Sequence, residues 1–367
     1  MSLNFRFAVV SDPHIGLPKT IVNHSRGFHL VEISIAALEL VLDHLQQQQL
    51  DFLLLPGDLT QDGEPENHAW LQKRLSKLPF PVYVVPGNHD VPNFLANERA
   101  IGLKDFPHYY GQFGYKNPEQ LYYTCEIFPG VQLIGLNSNQ FDHTGLHLGR
   151  VDEQQLNWLE QVLSQTQDKL VLVMLHHNII EHVPNQTNHP LGKRYMLEDA
   201  PRLQQILRAA GVKLVFTGHL HVQDIAYQDG LYDITTGSLV SYPHPYRILQ
   251  LRTDDQGKRW LQIESHRVDS VPGWDNLHQK SREWMGEKSL PFMLKLLTTP
   301  PLNFSLVEAE KLAPSLRYFW PNIAAGDAIF NFSEFPPAAR SYFEAFSAIT
   351  NEGKPALIDN HATFLVG

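Results

Sequence analysis

Five apolar runs, each followed at once by a short polar block, constrain the fold of this chain more than any other feature. Runs of four to six residues that are rich in Val and Leu are typical of strands buried on both faces. Because loops at the carboxyl ends of such strands meet at one edge of an α/β sheet, we expect polar blocks from distant parts of the sequence to lie together. The runs are 7–10, 52–55, 82–85, 170–175 and 212–216.

The polar blocks contain the residue types that bind transition-metal ions. Neutral imidazole and carboxylate suit Mn, Fe, Zn, Ni or Co better than Ca, and the Asp58 carboxylate is the natural bridge between two ions. Two ions roughly 3.5–4 Å apart can activate a water near neutral pH, so the pattern indicates attack on a phosphoester by a metal-bound hydroxide. The blocks are Asp12-Pro13-His14, Gly57-Asp58, Gly87-Asn88-His89-Asp90, His176-His177 and Gly218-His219-Leu220-His221.

Each block taken alone has a simpler interpretation. Gly57-Asp58 is also a turn sequence, Asp90 is also a helix N-cap, and His219 with His221 also suits a protein surface. The joint pattern favours the metal site, because all five blocks follow predicted buried strands. The chain contains no G-x-x-x-x-G-K-[ST] phosphate loop, which disfavours a nucleotide-powered mechanism.

The ordered pattern D-x-H, GD, GNHD, H and GHxH resembles the calcineurin-like metallophosphoesterase superfamily. Within it, the chain resembles bacterial class III cyclic nucleotide phosphodiesterases with a C-terminal helical extension. The resemblance covers about residues 5–268 and implies a two-sheet αββα sandwich with a binuclear metal centre. It implies one ion bound by Asp12, His14, Asp58 and His221, and a second bound by Asp58, Asn88, His176 and His219.

The resemblance also implies two catalytic roles. His89 would contact the phosphate and protonate the leaving oxygen, and Asp90 would orient the His89 ring. His176 rather than His177 is expected to bind metal, because the family places the first histidine of such a pair on the ion. The sequence alone leaves that choice open.

The segment after Gly57-Asp58 departs from two branches of the superfamily. It reads Leu59-Thr60-Gln61, without the arginine that clamps a phosphomonoester in serine/threonine phosphatases or the tyrosine ligand of purple acid phosphatases. We therefore expect small phosphodiesters as substrates, with 3′,5′-cyclic nucleotides first. The alternatives are a glycerophosphodiester or phospholipid phosphodiesterase, a DNA nuclease of the superfamily, and a non-catalytic binding module.

Composition fits an ordinary soluble enzyme. The 367 residues, 43% of them hydrophobic, allow a large domain and a small one. The formal net charge of −10 disfavours a stable nucleic-acid partner. Cys125 is the single cysteine, so no intramolecular disulfide is available. The sequence has no signal-peptide pattern and no apolar run of membrane-spanning length, so we expect a cytoplasmic protein.

The remaining pattern predicts an α/β domain over residues 1–268 and a helical C-terminal extension over 269–367. Aromatic residues of the extension favour packing on the sandwich, and a substrate cap or homodimer interface is the alternative. The predicted helices are 30–49, 65–77, one capped by Asp152, 196–210, 274–297, 305–321 and 337–349; the predicted strands are 122–128, 131–137, 224–228, 231–236, 246–252 and 258–267.

Two loops are candidates for contact with substrate. The 179–193 loop follows His176 and holds His182 and His189, and loops of this length beside a metal site often form a substrate wall. The 237–246 loop holds Tyr242 and His244, and it resembles a segment that flanks the pocket in the related subgroup. A solvated position suits each of these four side chains equally well.

Overall fold

The computed structural model describes residues 2–22, 27–189, 192–350 and 352–367. Its strands in chain order are β1 (Asn4–Val9), β2 (Phe52–Leu55), β3 (Val82–Val84), β4 (Tyr123–Phe128), β5 (Val131–Gly135), β6 (Asn139–Phe141), β7 (His147–Gly149), β8 (Leu170–Met174), β9 (Leu214–Thr217), β10 (Asp224–Gln228), β11 (Leu231–Thr235), β12 (Pro245–Thr253), β13 (Arg259–Arg267) and β14 (His361–Leu365). The helices are α1 (Ser34–Gln46), α2 (Pro65–Leu75), α3 (Phe106–Tyr109), α4 (Glu153–Ser164), α5 (Ala200–Ala209), α6 (Leu277–Thr298), α7 (Leu306–Leu312), α8 (Phe319–Ala325) and α9 (Pro337–Glu344).

The strands form two six-stranded sheets and one short hairpin, β6-β7. The first sheet has the order β14-β13-β12-β1-β2-β3, and the second has the order β10-β11-β9-β8-β5-β4. The neighbours β1, β2 and β3 are parallel, as are β5, β8, β9 and β11. All five apolar runs of the sequence therefore lie in parallel strands, which is why the polar blocks gather at the carboxyl edges of the sheets.

The core lies between the two sheets and explains why the five runs are so apolar. Phe7 of β1 stacks on Phe52 of β2 with ring centroids 4.8 Å apart, and it meets Phe216 of β9 in the other sheet edge-on at 5.6 Å. Helices α1 and α2 pack in the same core cluster, whereas α4 and α5 pack on the outer face of the second sheet. The predicted α/β sandwich, with helices on both sides of two sheets, is confirmed.

The predicted starts of two helices, α4 and α5, can be compared with the structure. Asp152 caps α4 as predicted, because its carboxylate accepts a hydrogen bond from the Gln155 N–H at 2.8 Å. Helix α5 begins at Ala200 rather than at Met196. Residues 193–195 form a short 3₁₀ turn instead, and Met196 pairs in a β-bridge with Asn178.

The C-terminal extension is mainly helical, with helices shorter than predicted and one strand that was not predicted. The capping box of Ser305 and Glu308 is present, but α7 ends at Leu312 and a 3₁₀ turn containing Pro314 follows. Helix α9 ends at Glu344 rather than near residue 349. Strand β14 pairs antiparallel with β13 and completes the first sheet, which corrects the expectation that residues beyond 269 lack strands.

The extension packs on the sandwich through an aromatic core of its own. Phe319 contacts Phe343 edge-on at 5.0 Å, and the same cluster includes Leu220 and Tyr242 from the sandwich. Among the described residues, no helix is both long enough and apolar enough to cross a membrane.

Candidate metal centre

The loops that follow the parallel strands continue the pairing of those strands. The Asp12 N–H donates to the Gly57 carbonyl at 3.2 Å, and the His14 N–H donates to the Asp58 carbonyl at 2.9 Å. In the second sheet, the Gly218 N–H donates to the His176 carbonyl at 3.1 Å. These backbone contacts align each polar block with the next, so that their side chains meet between the two sheets.

The structure brings the seven predicted metal ligands into one cluster. Nε2 of His176 lies 3.2 Å from Oδ2 of Asp58 and 3.1 Å from Oδ1 of Asn88. Nε2 of His221 lies 3.1 Å from Oδ1 of Asp12. Two groups have ligand atoms within 4.8 Å of one another and share one carboxylate, Asp58: they are Asp12, His14, Asp58 and His221, and Asp58, His176 and His219.

This donor set fits two transition-metal ions. Each group combines carboxylate with imidazole, and the shared Asp58 is buried with only 1% of its surface exposed. Nδ1 of His176 lies 2.9 Å from the Pro56 carbonyl, which directs Nε2 to the cluster. Nε2 of His219 lies 3.2 Å from the Arg194 carbonyl, so Nδ1 of His219 is the nitrogen presented to an ion.

The backbone at the cluster adopts an unusual conformation. Five of the seven predicted ligands have a positive φ, from +42° at His14 to +67° at His219. Asp and His are enriched in this left-handed region, but it still costs free energy for residues with a side chain. Left-handed residues in such numbers turn the chain sharply at the strand ends and aim the side chains inward. The other three are Asp12, Asp58 and His221.

The glycines of the motifs leave room for the ligands. A methyl group at Gly87 would overlap the backbone nitrogen and the carboxylate of Asp58. A methyl group at Gly218 would overlap the Asp12 carboxylate, and one at Gly57 would lie 2.5 Å from Nδ1 of His176. Each glycine therefore allows a backbone segment to approach a metal-ligating side chain closely.

The contacts of Asp90 differ from what the resemblance implied. Nδ1 of His89 lies 2.5 Å from the Gln61 carbonyl, not beside Asp90. The Asp90 carboxylate accepts hydrogen bonds from the backbone N–H groups of Leu59, Thr60 and Gly87 at 2.8–3.0 Å. Asp90 therefore fixes the two loops around Asp58, and it acts on His89 only through the backbone that carries Gln61.

Asp58 and the histidines perturb each other electrostatically. Burial disfavours charge on His176, but the adjacent Asp58 carboxylate outweighs burial and raises the pKa of His176 to about 9. Burial together with the neighbouring His29 and His89 lowers the pKa of His14 well below its usual value. The cluster thus holds one strongly basic imidazole next to neutral ones, and neutral imidazole is the form that binds metal.

A cleft of about 730 Å³ opens over the cluster. Asp58, Asn88, His89, His219 and His221 form its floor. Its other charged lining residues are of both signs: Asp62, Lys193, Arg194 and Glu198. Met285 of α6 and Trp320 of α8 also line it, so the C-terminal extension reaches the site.

His29 is a site residue that the sequence did not reveal. Its ring centroid lies 4.1 Å from that of His14 and 4.8 Å from that of His221, and the three histidines form a further group with metal-binding spacing. His29 follows no apolar run, so the strand-end pattern could not have identified it. His147 on the short β7 strand lines the cleft as well and was missed for the same reason.

The four residues predicted to contact substrate do not line this cleft. The side chain of His182 is buried between Asp224 and Asp233 and lines a second cavity, and His189 lines a third cavity, which adjoins the cleft. Tyr242 packs in the core of the extension, and His244 is buried with Nδ1 3.0 Å from the Leu239 carbonyl. From these two loops, Lys193 and Ser241 line the cleft instead. Two residues of the first loop, 190 and 191, lie outside the described residues.

Comparison with known proteins agrees with this geometry. A family model described as calcineurin-like phosphoesterase matches residues 5–223. A probable glycerophosphodiester phosphodiesterase of Arcobacter nitrofigilis is 29% identical over 67% of this chain and 81% of its own length. A 3′,5′-cyclic adenosine monophosphate phosphodiesterase of Haemophilus influenzae is 24% identical over 64% of this chain and 78% of its own. Among solved structures, a dimetal phosphatase of Danio rerio has a TM-score of 0.53 at 14% identity, covering 71% of this chain and 95% of that one.

The fold, the cluster and the family match together identify a metal-dependent phosphoesterase. The chain belongs to the calcineurin-like phosphoesterase family.

Proposed function

We propose that this protein hydrolyses small phosphodiesters at a binuclear metal centre, with 3′,5′-cyclic nucleotides as its substrates. The observation that carries the proposal is the pair of ligand groups that share Asp58 on the floor of the cleft. Bound there, two divalent ions would supply a nucleophilic water of lowered pKa and would neutralise charge on the phosphoryl group. We assign one ion to Asp12, His14, Asp58 and His221 and the other to Asp58, Asn88, His176 and His219.

His89 would supply the proton for the leaving oxygen. The Gln61 carbonyl fixes Nδ1 of His89, which leaves Nε2 as the nitrogen directed to the cleft. An alkoxide such as a ribose oxygen leaves poorly without a proton, so a general acid in this position suits a cyclic nucleotide.

One observation supports a diester over a monoester. The chain has Leu59-Thr60-Gln61 after Asp58, so the arginine that would clamp a dianionic monoester is missing from that segment. The matched Haemophilus influenzae protein bears the name of a cyclic adenosine monophosphate phosphodiesterase.

Glycerophosphodiesters are the second candidate substrate, since the Arcobacter nitrofigilis relative is named for them. A polynucleotide is disfavoured by the net charge of −10. Retention of both ligand groups disfavours a non-catalytic module.

The test is a substrate panel after loading with Mn²⁺. We expect cyclic AMP to be hydrolysed with a higher kcat/KM than a glycerophosphodiester, and bis(p-nitrophenyl) phosphate faster than p-nitrophenyl phosphate. Asp58→Asn is the inactive control, because an amide bridges two cations poorly. Faster hydrolysis of the monoester would overturn the diester assignment, and a preference for the glycerophosphodiester would replace the cyclic nucleotide.

A further inference from the structure

The third cavity, which His189 lines, has a volume of about 160 Å³ and adjoins the metal cleft. The two cavities share five lining residues, so they are neighbours. The shared residues are Phe28, Arg194, Tyr195, Leu220 and Trp320.

The walls of this cavity are mostly apolar and aromatic, and the C-terminal extension contributes much of them. Phe292 of α6 and Trp320 of α8 meet edge-on with ring centroids 5.9 Å apart. An apolar cavity of about 150 Å³ is large enough for one benzene ring. The volume therefore suits a single ring system better than a long acyl chain.

One buried polar group in the wall of the cavity lacks a partner. Gln186 is fully buried, and its Oε1 accepts a hydrogen bond from the His182 backbone N–H at 2.8 Å. That bond identifies the other terminal atom as the amide nitrogen, and Nε2 has no partner among the described residues. A buried donor without an acceptor costs free energy that a ligand with a ring nitrogen or oxygen would recover.

One side chain that lines this cavity also packs against the metal cluster. The Tyr195 ring lines both cavities and has its centroid 5.1 Å from that of the predicted ligand His219. The cavity is therefore adjacent to the position that the phosphate of a bound diester would take.

We propose that this cavity is a ring subsite, which receives the nucleobase of the substrate between aromatic side chains while the diester lies at the metal cluster. The proposal rests on the proposed phosphodiesterase function and deepens it. Trp320 supplies a stacking surface and Gln186 donates a hydrogen bond to the base. The extension thereby becomes a determinant of substrate choice.

The first experiment compares two diesters that differ only in the base. These are cyclic AMP and methyl riboside 3′,5′-cyclic phosphate, which has the same ring diester and no base. We expect the Mn²⁺-loaded wild type to prefer cyclic AMP in kcat/KM by about 5- to 150-fold, the range that one base–aromatic stack provides. Trp320→Ala should lose most of this preference and Trp320→Phe should retain most of it, where the preference is the ratio of the two kcat/KM values measured within each variant.

Trp260→Ala is the matched control. Trp260 is also half-buried, but it lies on β13 and donates to Asp254 at 2.8 Å, away from both cavities. If Trp320→Ala and Trp260→Ala prefer cyclic AMP over the base-less diester to the same extent, the proposed subsite is wrong.

The second experiment needs neither metal nor turnover. Saturation-transfer NMR of the full chain with adenosine should show saturation concentrated on the base protons, and Trp320→Ala should abolish it. Absence of that signal in the wild type would refute the ring subsite. If adenosine gives the expected saturation signal but neither cyclic phosphate is hydrolysed, the proposed function is wrong and the subsite stands. If cyclic AMP and the base-less diester are hydrolysed at equal rates, the subsite is wrong and the proposed function stands.

Discussion

The buried histidine between two aspartates predicts a specific pH dependence of folding. Nδ1 of His182 lies 2.6 Å from Oδ2 of Asp224, and Nε2 lies 3.3 Å from Oδ2 of Asp233. Burial alone would lower the pKa of His182, but Asp233 and Asp224 outweigh it and raise the pKa to about 10. A histidine whose pKa is raised on folding stabilises the protein fully below the pKa of the unfolded chain and loses that effect as the pH rises through the folded value.

The magnitude follows from the size of the shift. A rise from 6.5 to about 10 corresponds to at most about 5 kcal/mol, since one pKa unit equals roughly 1.4 kcal/mol. About 4 kcal/mol of this is present at pH 7 and less than about 1 kcal/mol at pH 9.5. The loss between these two pH values is therefore about 3 kcal/mol, an order-of-magnitude figure.

The perturbation is His182→Asn, which keeps a donor near Asp224 and removes the titrating ring. Asp233 would retain hydrogen bonds from Ile179 N–H and from the Thr217 hydroxyl, so we expect the fold to survive. Urea unfolding at pH 7 and pH 9.5, at equal metal loading, gives the free energy of unfolding of both proteins. The destabilisation by His182→Asn should shrink by about 3 kcal/mol at the higher pH.

The exposed His143 provides the control, because His143→Asn should leave the free energy of unfolding unchanged at both pH values. A destabilisation by His182→Asn that is equal at pH 7 and 9.5, or larger at 9.5, would refute the reasoning.

Three further predictions concern the candidate site. Asp58→Asn should lower metal content from two ions to one or none by elemental analysis, and two retained ions would contradict a shared ligand. Gly87→Ala should weaken metal binding by about 10- to 100-fold, whereas Gly111→Ala, with no atom near the added methyl, should not. His89→Ala should cost about 10²–10⁴-fold with cyclic AMP but far less with bis(p-nitrophenyl) phosphate. An equal loss on both substrates would give His89 a role other than proton donation.

The sequence predicted the strands and the ligand cluster because both depend on local patterns. A run such as 52–55 is apolar because both faces are buried, and Asp58 follows it because the site lies at the strand end. His29 could not be found this way, since it reaches the cluster from a loop without a strand signal. Strand β14 was missed because only five residues form it at a sheet edge, with alternate residues exposed.

The role of Asp90 shows what a sequence motif alone does not establish. The resemblance implied that Asp90, which follows His89 directly, orients the His89 ring. The folded chain instead presents the Leu59 and Thr60 N–H groups, about thirty residues away in sequence, to that carboxylate. Only the three-dimensional structure shows that the buried Asp90 carboxylate holds the backbone of the two loops together.

The ligand positions link the stability of the protein to metal binding. Asp12, Asp58 and Asn88 follow strands of the first sheet, while His176 and His219 follow strands of the second. Ions bound by both sets would therefore connect the sheets at one edge, where five left-handed residues already cost on the order of 1–3 kcal/mol each. Because binding to the folded state alone adds RT ln(1 + [L]/Kd) to the free energy of unfolding, bound ions would compensate the strained loops. The left-handed backbone therefore destabilises the metal-free protein. In the metal-bound protein the same backbone holds the ligands in position, and the binding free energy offsets its cost.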